Sequence, residues 1–204
     1  MRTVIVDYDI GNIQSILNAV TQFKNIDVIL SNNRKEIQSA DSLILPGVGA
    51  FRHGMNELSR RGLPNILSEY VNSGKPILGV CLGMQLLFES SEEFGFREGL
   101  GFIKGTVKKF PNTLKERLPH VGWNEVSFRN NNPLLNNIDG KIEMYFSHSY
   151  ICHPEDANVA TSVTEHGGVE FISTVKKDNI YGCQFHPEIS AHQGLKVLEN
   201  FFNI

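Results

Sequence analysis

Short apolar runs alternate with helix-period stripes through the first half of the chain. Residues 3–8 form a β-branched run that stops at the turn Asp9-Ile10-Gly11. From Asn12 onward, Ile13, Ile16, Leu17 and Val20 recur at the spacing of one helix face. Residues 28–30 and 42–45 predict a second and a third strand, the third ending in Pro46-Gly47-Val48-Gly49. Residues 55–73 predict one or two helices, interrupted near Gly62-Leu63-Pro64. Residues 77–80 predict a fourth strand, and 84–88 open the helix that follows it. Strands alternating with helices in this order predict a parallel sheet covered on both faces.

The second half changes character. Residues 106–110, 125–128, 143–147, 159–164, 171–175 and 180–185 read as short strands, separated by polar turns such as Asn130-Asn131-Asn132-Pro133 and His166-Gly167-Gly168. An amphipathic helix over 191–202 closes the chain. No repeat, low-complexity stretch or linker divides it. The expectation is one α/β domain over residues 1–204, three layers deep, with a mixed, largely parallel sheet and an antiparallel addition late in the chain.

Composition narrows the function classes. Of 204 residues, 41% are apolar and 20% charged, ordinary proportions for a globular chain with a full core. A net charge of −3 provides no basic field for nucleic acid or an anionic membrane. Cys81, Cys152 and Cys183 are too few, too scattered and odd in number for a disulfide framework, which fits a reducing compartment. The first residues run straight into a strand pattern without a signal-peptide core, and no apolar run is long enough to span a bilayer. A soluble, cytoplasmic protein is expected.

The chemistry-bearing residues sit at the ends of predicted strands. In Gly79-Val80-Cys81-Leu82-Gly83 a cysteine lies between two glycines where a strand gives way to a helix. That is the shape of a nucleophile elbow, and the free N–H groups of the helix favour thiolate over thiol. About a hundred residues downstream, Gln184-Phe185-His186-Pro187-Glu188 supplies a histidine with a carboxylate two positions later. These are the general base and orienting group that a thiol nucleophile needs. A buried cysteine in a tight turn and a structural histidine are the plain alternatives, and it is the combination that favours a Cys81-His186-Glu188 enzyme. The glycines of Pro46-Gly47-Val48-Gly49 allow a peptide unit at Val48–Gly49 to turn its N–H toward a reacting oxygen. Together with the Leu82 N–H it would form an oxyanion hole.

Other chemistries fit less well. The third glycine of a dinucleotide fingerprint is replaced by Arg52, and no phosphate-binding Walker loop is present. His148, Cys152 and His153 lack a second ligand pair, so neither a metal nor another cofactor is expected. His53, His166 and His192 read as solvated surface residues. Trp123, the single tryptophan, lies in a polar turn-like sequence and reads as an interface anchor or a core residue.

The segments containing Cys81, Pro46–Phe51 and Gln184–Glu188 resemble the class I (triad) glutamine amidotransferases. Further matches, Asp9-Ile10-Gly11-Asn12, His120-Val121-Gly122-Trp123-Asn124 and Tyr145 to Tyr150, resemble one branch of that family, the glutaminase subunits of histidine biosynthesis. The likeness runs in order along the whole chain. It implies a flavodoxin-like amidotransferase fold and hydrolysis of L-glutamine to glutamate and ammonia. It also implies that Gly49, Met84, Gln85, Glu93, Ser147, His148 and Ser149 hold glutamine, with the Glu93 carboxylate suited to the α-ammonium group. The implied partner is a (βα)8-barrel synthase, or cyclase, subunit in a heterodimer, met through Asn12, Trp123, Asn124, Tyr145 and Ile189. Ile189 departs from the pattern, because the family usually places a lysine there to pair with the synthase. A paralogue feeding ammonia to another acceptor, such as an amidine-forming enzyme of surface-sugar synthesis, is the first alternative. A standalone cysteine hydrolase and a non-catalytic binding protein follow, weakened by the Met84-Gln85 pair and by the complete triad.

Overall fold

The computed structural model describes residues 1–138 and 141–204. In chain order its elements are β1 (Arg2–Val6), α1 (Ile13–Val20), β2 (Asp27–Ser31), α2 (Arg34–Ser39), β3 (Ser42–Leu45), α3 (Phe51–Arg60), α4 (Leu63–Asn72), β4 (Ile77–Val80) and α5 (Leu82–Leu86). Then follow β5 (Phe88–Ser91), β6 (Arg97–Glu98), β7 (Ile103–Lys109), β8 (His120–Glu125), β9 (Ser127–Phe128), β10 (Glu143–His148), β11 (Tyr150–Pro154), β12 (Ala160–His166), β13 (Val169–Lys177), β14 (Ile180–Cys183) and α6 (Ala191–Phe202).

The main sheet has eight strands in the order β2-β1-β3-β4-β14-β13-β12-β9. The first five are mutually parallel, and the last three join antiparallel. This is the mixed, largely parallel sheet expected from the sequence. Its central strands are buried on both faces, because successive side chains point to opposite sides and both sides are covered. Val4, Val6, Leu43, Leu45 and Ile77 pack toward α2, α3 and α4. Ile5, Ile44, Leu78 and Val80 pack the other way, toward α1 and α6. A two-stranded ribbon, β8 with β10, and a four-stranded sheet, β11-β7-β5-β6, complete the molecule.

Several boundaries differ from the pattern. The helix expected from Met84 begins at Leu82 and ends at Leu86, because the chain turns at once into β5. The strand expected over 125–128 is two strands, β8 and β9, and Trp123 lies within β8 rather than in a turn. There it pairs in register with Tyr145 of β10. The short elements α2, β5, β6 and β11 had no readable period. Among the described residues, no helix is long and apolar enough to cross a membrane.

Candidate active site

The elbow forms where β4 ends. The Cys81 N–H donates to the Cys183 carbonyl at 2.8 Å, which continues the β4–β14 pairing up to Cys81. Cys81 itself adopts φ 54° and ψ −110°, a conformation that L-residues rarely take. The flanking glycines serve close approach rather than the turn. A Cβ on Gly79 would sit 2.7 Å from the backbone of Met84, and one on Gly83 would overlap the Leu45 carbonyl oxygen. Only glycine lets α5 press down onto the ends of β3 and β4 and hold the cysteine at their edge.

The second group arrives from β14. The His186 N–H donates to the Tyr145 carbonyl at 2.9 Å, and the Ser190 hydroxyl binds the His186 carbonyl at 2.6 Å while accepting from the Tyr145 N–H at 2.9 Å. These bonds clamp the His186 turn against β10. The His186 ring donates through Nδ1 to Glu188 Oε1 at 2.9 Å, with both side chains buried, and hydrogen-bonds on its other side to Cys81. Burial, the largest single influence, would lower the pKa of the ring. The hydrogen bonds and charges of Cys81 and Glu188 outweigh it and push the value from 6.5 up to about 10. At neutral pH the ring is an imidazolium held between a sulfur and a carboxylate. Such a cation favours thiolate at the sulfur and can later give its proton to a leaving amine.

A cleft of about 470 Å³ opens over Cys81 and His186. Val48, Gly49 and Leu82 line it, as do Gln85, Glu93, Ser147, His148 and Ser149. Met84 does not. Its side chain is fully buried and packs against Gly182 of β14. Gly49 has φ +90° with nothing within 4 Å of a would-be Cβ, so the peptide at Val48–Gly49 stands free at the rim. The turn before it is anchored, since the Tyr8 hydroxyl donates to the Pro46 carbonyl and Gly11 packs on Pro46. The Asp9–Asn12 turn therefore abuts the rim of the cleft.

Glu93 is buried, and its Oε2 accepts the Phe51 N–H at 2.6 Å, at the first turn of α3. Burial raises its pKa, partly offset by that N–H. His148 is neutral, pushed down to about 3 by burial, and bonds the Tyr150 carbonyl through Nδ1 at 2.9 Å. Its Nε2 meets His120 Nδ1 at 3.1 Å, and His166 stacks on His120 at 4.1 Å. His166 is thus buried, contrary to its expected place in solvent, because the His120 ring and Glu116 (3.3 Å) cover it. His53 and His192 are exposed.

The expected contact surface is mostly exposed. Asn12, Ile189 and Trp123 face solvent, Trp123 at 53%, and its ring meets Tyr145 edge-on at 6.1 Å. Asn124 is half-buried and donates to the Glu165 carbonyl at 2.7 Å. Two residues near the sulfur gave no separate signal in the sequence. Tyr150 lines the cleft, and Gln184, read only as part of a motif, donates to Cys81 Sγ at 3.7 Å. A glutamine closing an apolar strand run was the available clue.

The geometry agrees with what the chain is similar to. Residues 4–204 match the family model for class-I glutamine amidotransferase. A protein of Aquifex aeolicus described as imidazole glycerol phosphate synthase subunit HisH is 42% identical over 98% of this chain and 96% of its own length. Proteins of the same description are 48% identical in Listeria innocua, over 97% and 93%, and 47% identical in Sulfurimonas denitrificans, over 97% and 95%. Among solved structures, a Thermotoga maritima structure titled PurLQS aligns with TM-score 0.74 at 21% identity, covering 99% of this chain and 97% of its own. A structure titled glutamine amidotransferase aligns with TM-score 0.75 at 15% identity, over 98% and 97%. An elbow cysteine and a strand-end histidine–glutamate pair, meeting over one cleft in a fold shared with these proteins, accompany a family match along nearly the whole chain: this protein belongs to the class-I glutamine amidotransferase family.

Proposed function

We propose that the chain is the glutaminase subunit of an imidazole glycerol phosphate synthase, a cytoplasmic enzyme of histidine biosynthesis. It hydrolyses L-glutamine and passes ammonia to a (βα)8-barrel cyclase subunit with which it forms a heterodimer. The observation that carries this reading is the junction of Cys81, His186 and Glu188 beneath a cleft walled by Glu93. The Cys81 sulfur attacks the side-chain amide carbon, and the carbonyl electrons move onto oxygen. The N–H groups of the Val48–Gly49 peptide and Leu82 stabilise that oxyanion. His186 gives its proton to the amide nitrogen, ammonia leaves, and a γ-glutamyl thioester remains on Cys81. His186 then takes a proton from water, the hydroxide displaces the sulfur, and glutamate departs. Glu188 holds the ring in orientation throughout. Glu93 faces the α-ammonium group, while Gly49, Gln85, Ser147, His148 and Ser149 shape the rest of the glutamine site.

Docking uses exposed apolar residues on the elements around the cleft. Val48 lines the cleft, Val121 (55% exposed) and Trp123 stand on β8, which pairs with β10, and Ile189 follows the His186 turn; free ammonia is protonated in bulk water, so a covered exit is chemically useful. With Ile189 at the position of the usual lysine, this contact is apolar rather than ionic. The test reconstitutes the chain with its barrel partner. Cys81→Ala abolishes product formation from glutamine and leaves formation from added ammonium salts intact. Glutamine-dependent synthesis persisting in that variant would refute the assignment.

A further inference from the structure

The Cys81 sulfur has more partners than the histidine. Ser147 offers its carbonyl oxygen at 3.9 Å, a partner for the thiol form only. On another side stands Gln184, fully buried, with its backbone N–H held by the Ser173 carbonyl at 2.8 Å. Its side-chain nitrogen lies 3.7 Å from the sulfur, and its side-chain oxygen accepts from Gln85 Nε2 at 3.0 Å. Gln85 Nε2 also donates to the Tyr150 carbonyl at 3.2 Å.

A main-chain carbonyl is an acceptor only, and it fixes the polarity of this whole chain of bonds. Because Tyr150 presents oxygen, Gln85 must turn its NH2 group that way. The same NH2 group then faces Gln184, which must answer with oxygen. Gln184 is left with its NH2 toward the sulfur. Flipping Gln85 would set its oxygen against the Tyr150 carbonyl, and flipping Gln184 would set its NH2 group against that of Gln85; either mismatch in a buried space is costly.

We propose that Gln184 is a further catalytic residue of this amidotransferase, whose side-chain NH2 donates to the Cys81 sulfur and holds it as a thiolate aimed into the cleft. The proposal rests on Cys81 being the nucleophile. An N–H donor favours the anion over the thiol, whereas the Ser147 carbonyl favours the thiol, so Gln184 and His186 act together against it. Of the other titratable groups coupled to the sulfur, Tyr8 and Cys152 are driven toward their neutral forms by burial and then by Cys81 itself, and Cys183 by burial, then by Glu188 and last by Cys81. Gln85 lines the glutamine cleft, so the same bonds link substrate contact to the sulfur.

The experiment measures alkylation of Cys81 by iodoacetamide in the full chain, followed by mass spectrometry of each cysteine-bearing peptide between about pH 5.5 and 9.5. Gln184→Met keeps the length of the side chain and removes the donor. It should slow Cys81 about tenfold near pH 6, with the two rates converging at the alkaline end. Gln184→Glu, which sets an acceptor against the sulfur, should slow it further. Should both fail to fold, Gln85→Met frees the Gln184 amide to rotate and should produce a smaller change in the same direction. Profiles that superimpose on the native one, or differ by one factor at every pH, overturn the role of Gln184. A native chain whose Cys81 reacts no faster than Cys152 and Cys183 overturns the nucleophile assignment beneath it.

Discussion

Replacing Glu188 by glutamine removes one charge from a buried pair while nearly preserving its shape. The carboxylate accepts from His186 Nδ1 at 2.9 Å, and the two side chains are only 7% and 2% exposed, so solvent screens the pair little. In the native chain the ring is held from 6.5 up to about 10. A cation favoured in the folded state stabilises the fold fully below pH 6.5, and the contribution is lost as pH rises through about 10. At about 1.4 kcal/mol per pH unit, that interval amounts to about 5 kcal/mol. Cys81 and Glu188 share the raising influence, and together they also overcome the opposing effect of burial. Losing about half of the raising influence while burial keeps its full opposing effect brings the His186 titration to about pH 7.5 or below in the variant. Native and variant chains should then differ by about 3 kcal/mol at pH 6.5 and by about 1 kcal/mol at pH 9. Urea denaturation across this range measures the gap, and ring NMR of His186 follows the titration directly. A gap that stays constant or widens toward alkaline pH would refute the reasoning, as would a native ring titrating near 6.5.

Four further outcomes follow from other parts of the molecule. Gly83→Ala drives a methyl into the Leu45 carbonyl and should cost about 3 kcal/mol or more by urea denaturation, whereas Gly49→Ala, in open space but at φ +90°, should cost about 1–2 kcal/mol and reduce glutamine hydrolysis. Equal losses of stability at the two sites would contradict the close-approach account. Glu93→Gln should raise KM for glutamine about tenfold or more with a smaller change in kcat, as steady-state kinetics of the complex will show. His120 and His148 are pushed down to about 4 and about 3, chiefly by burial. The folded chain therefore refuses protons that the unfolded chain accepts near 6.5, and each histidine should cost about 2 kcal/mol of stability at pH 5. His120→Gln should flatten that acid limb in a pH series of melts. Trp123→Ala should weaken partner binding about tenfold or more by calorimetry, and native affinity should vary little with salt at Ile189, where no charge is present.

Much of this could be read from the sequence because its causes are local. The β-branched run ahead of Asp9 and the stripe Ile13, Ile16, Leu17, Val20 each satisfy a single period, so β1 and α1 fall close to where the pattern puts them. The stretch after Cys81 is not legible from its pattern because Met84, Leu86, Leu87 and Phe88 are all fully buried. An apolar run with no exposed face has no period to distinguish a short helix followed by a strand from one longer helix. His166 was misjudged for a related reason. Polar neighbours in sequence, Glu165 and Gly167, say nothing about the His120 ring that stacks on it from another strand. Met84 enters the glutamine site by likeness alone, and its side chain lies in the core against Gly182.

The strained cysteine ties these threads together. A non-glycine residue at φ 54° costs on the order of 1–3 kcal/mol and persists only where the surroundings leave no alternative. Here the surroundings are specific: β4 is paired on both sides by β3 and β14, and Cys81 continues that pairing through its own N–H. One residue later α5 is pressed against the strand ends through Gly79 and Gly83, neither of which can carry a side chain. The chain must therefore reverse within Cys81 itself. Relaxing φ there would break the bond to Cys183 and lift α5 off Leu45, and strand pairing and packing together hold the strain in place. The sulfur is thus held by backbone packing. His186 is positioned by a different device, the Ser190–Tyr145 clamp. The two halves of the proposed reaction centre are built independently, and the pairing of β14 with β4 is what brings them together.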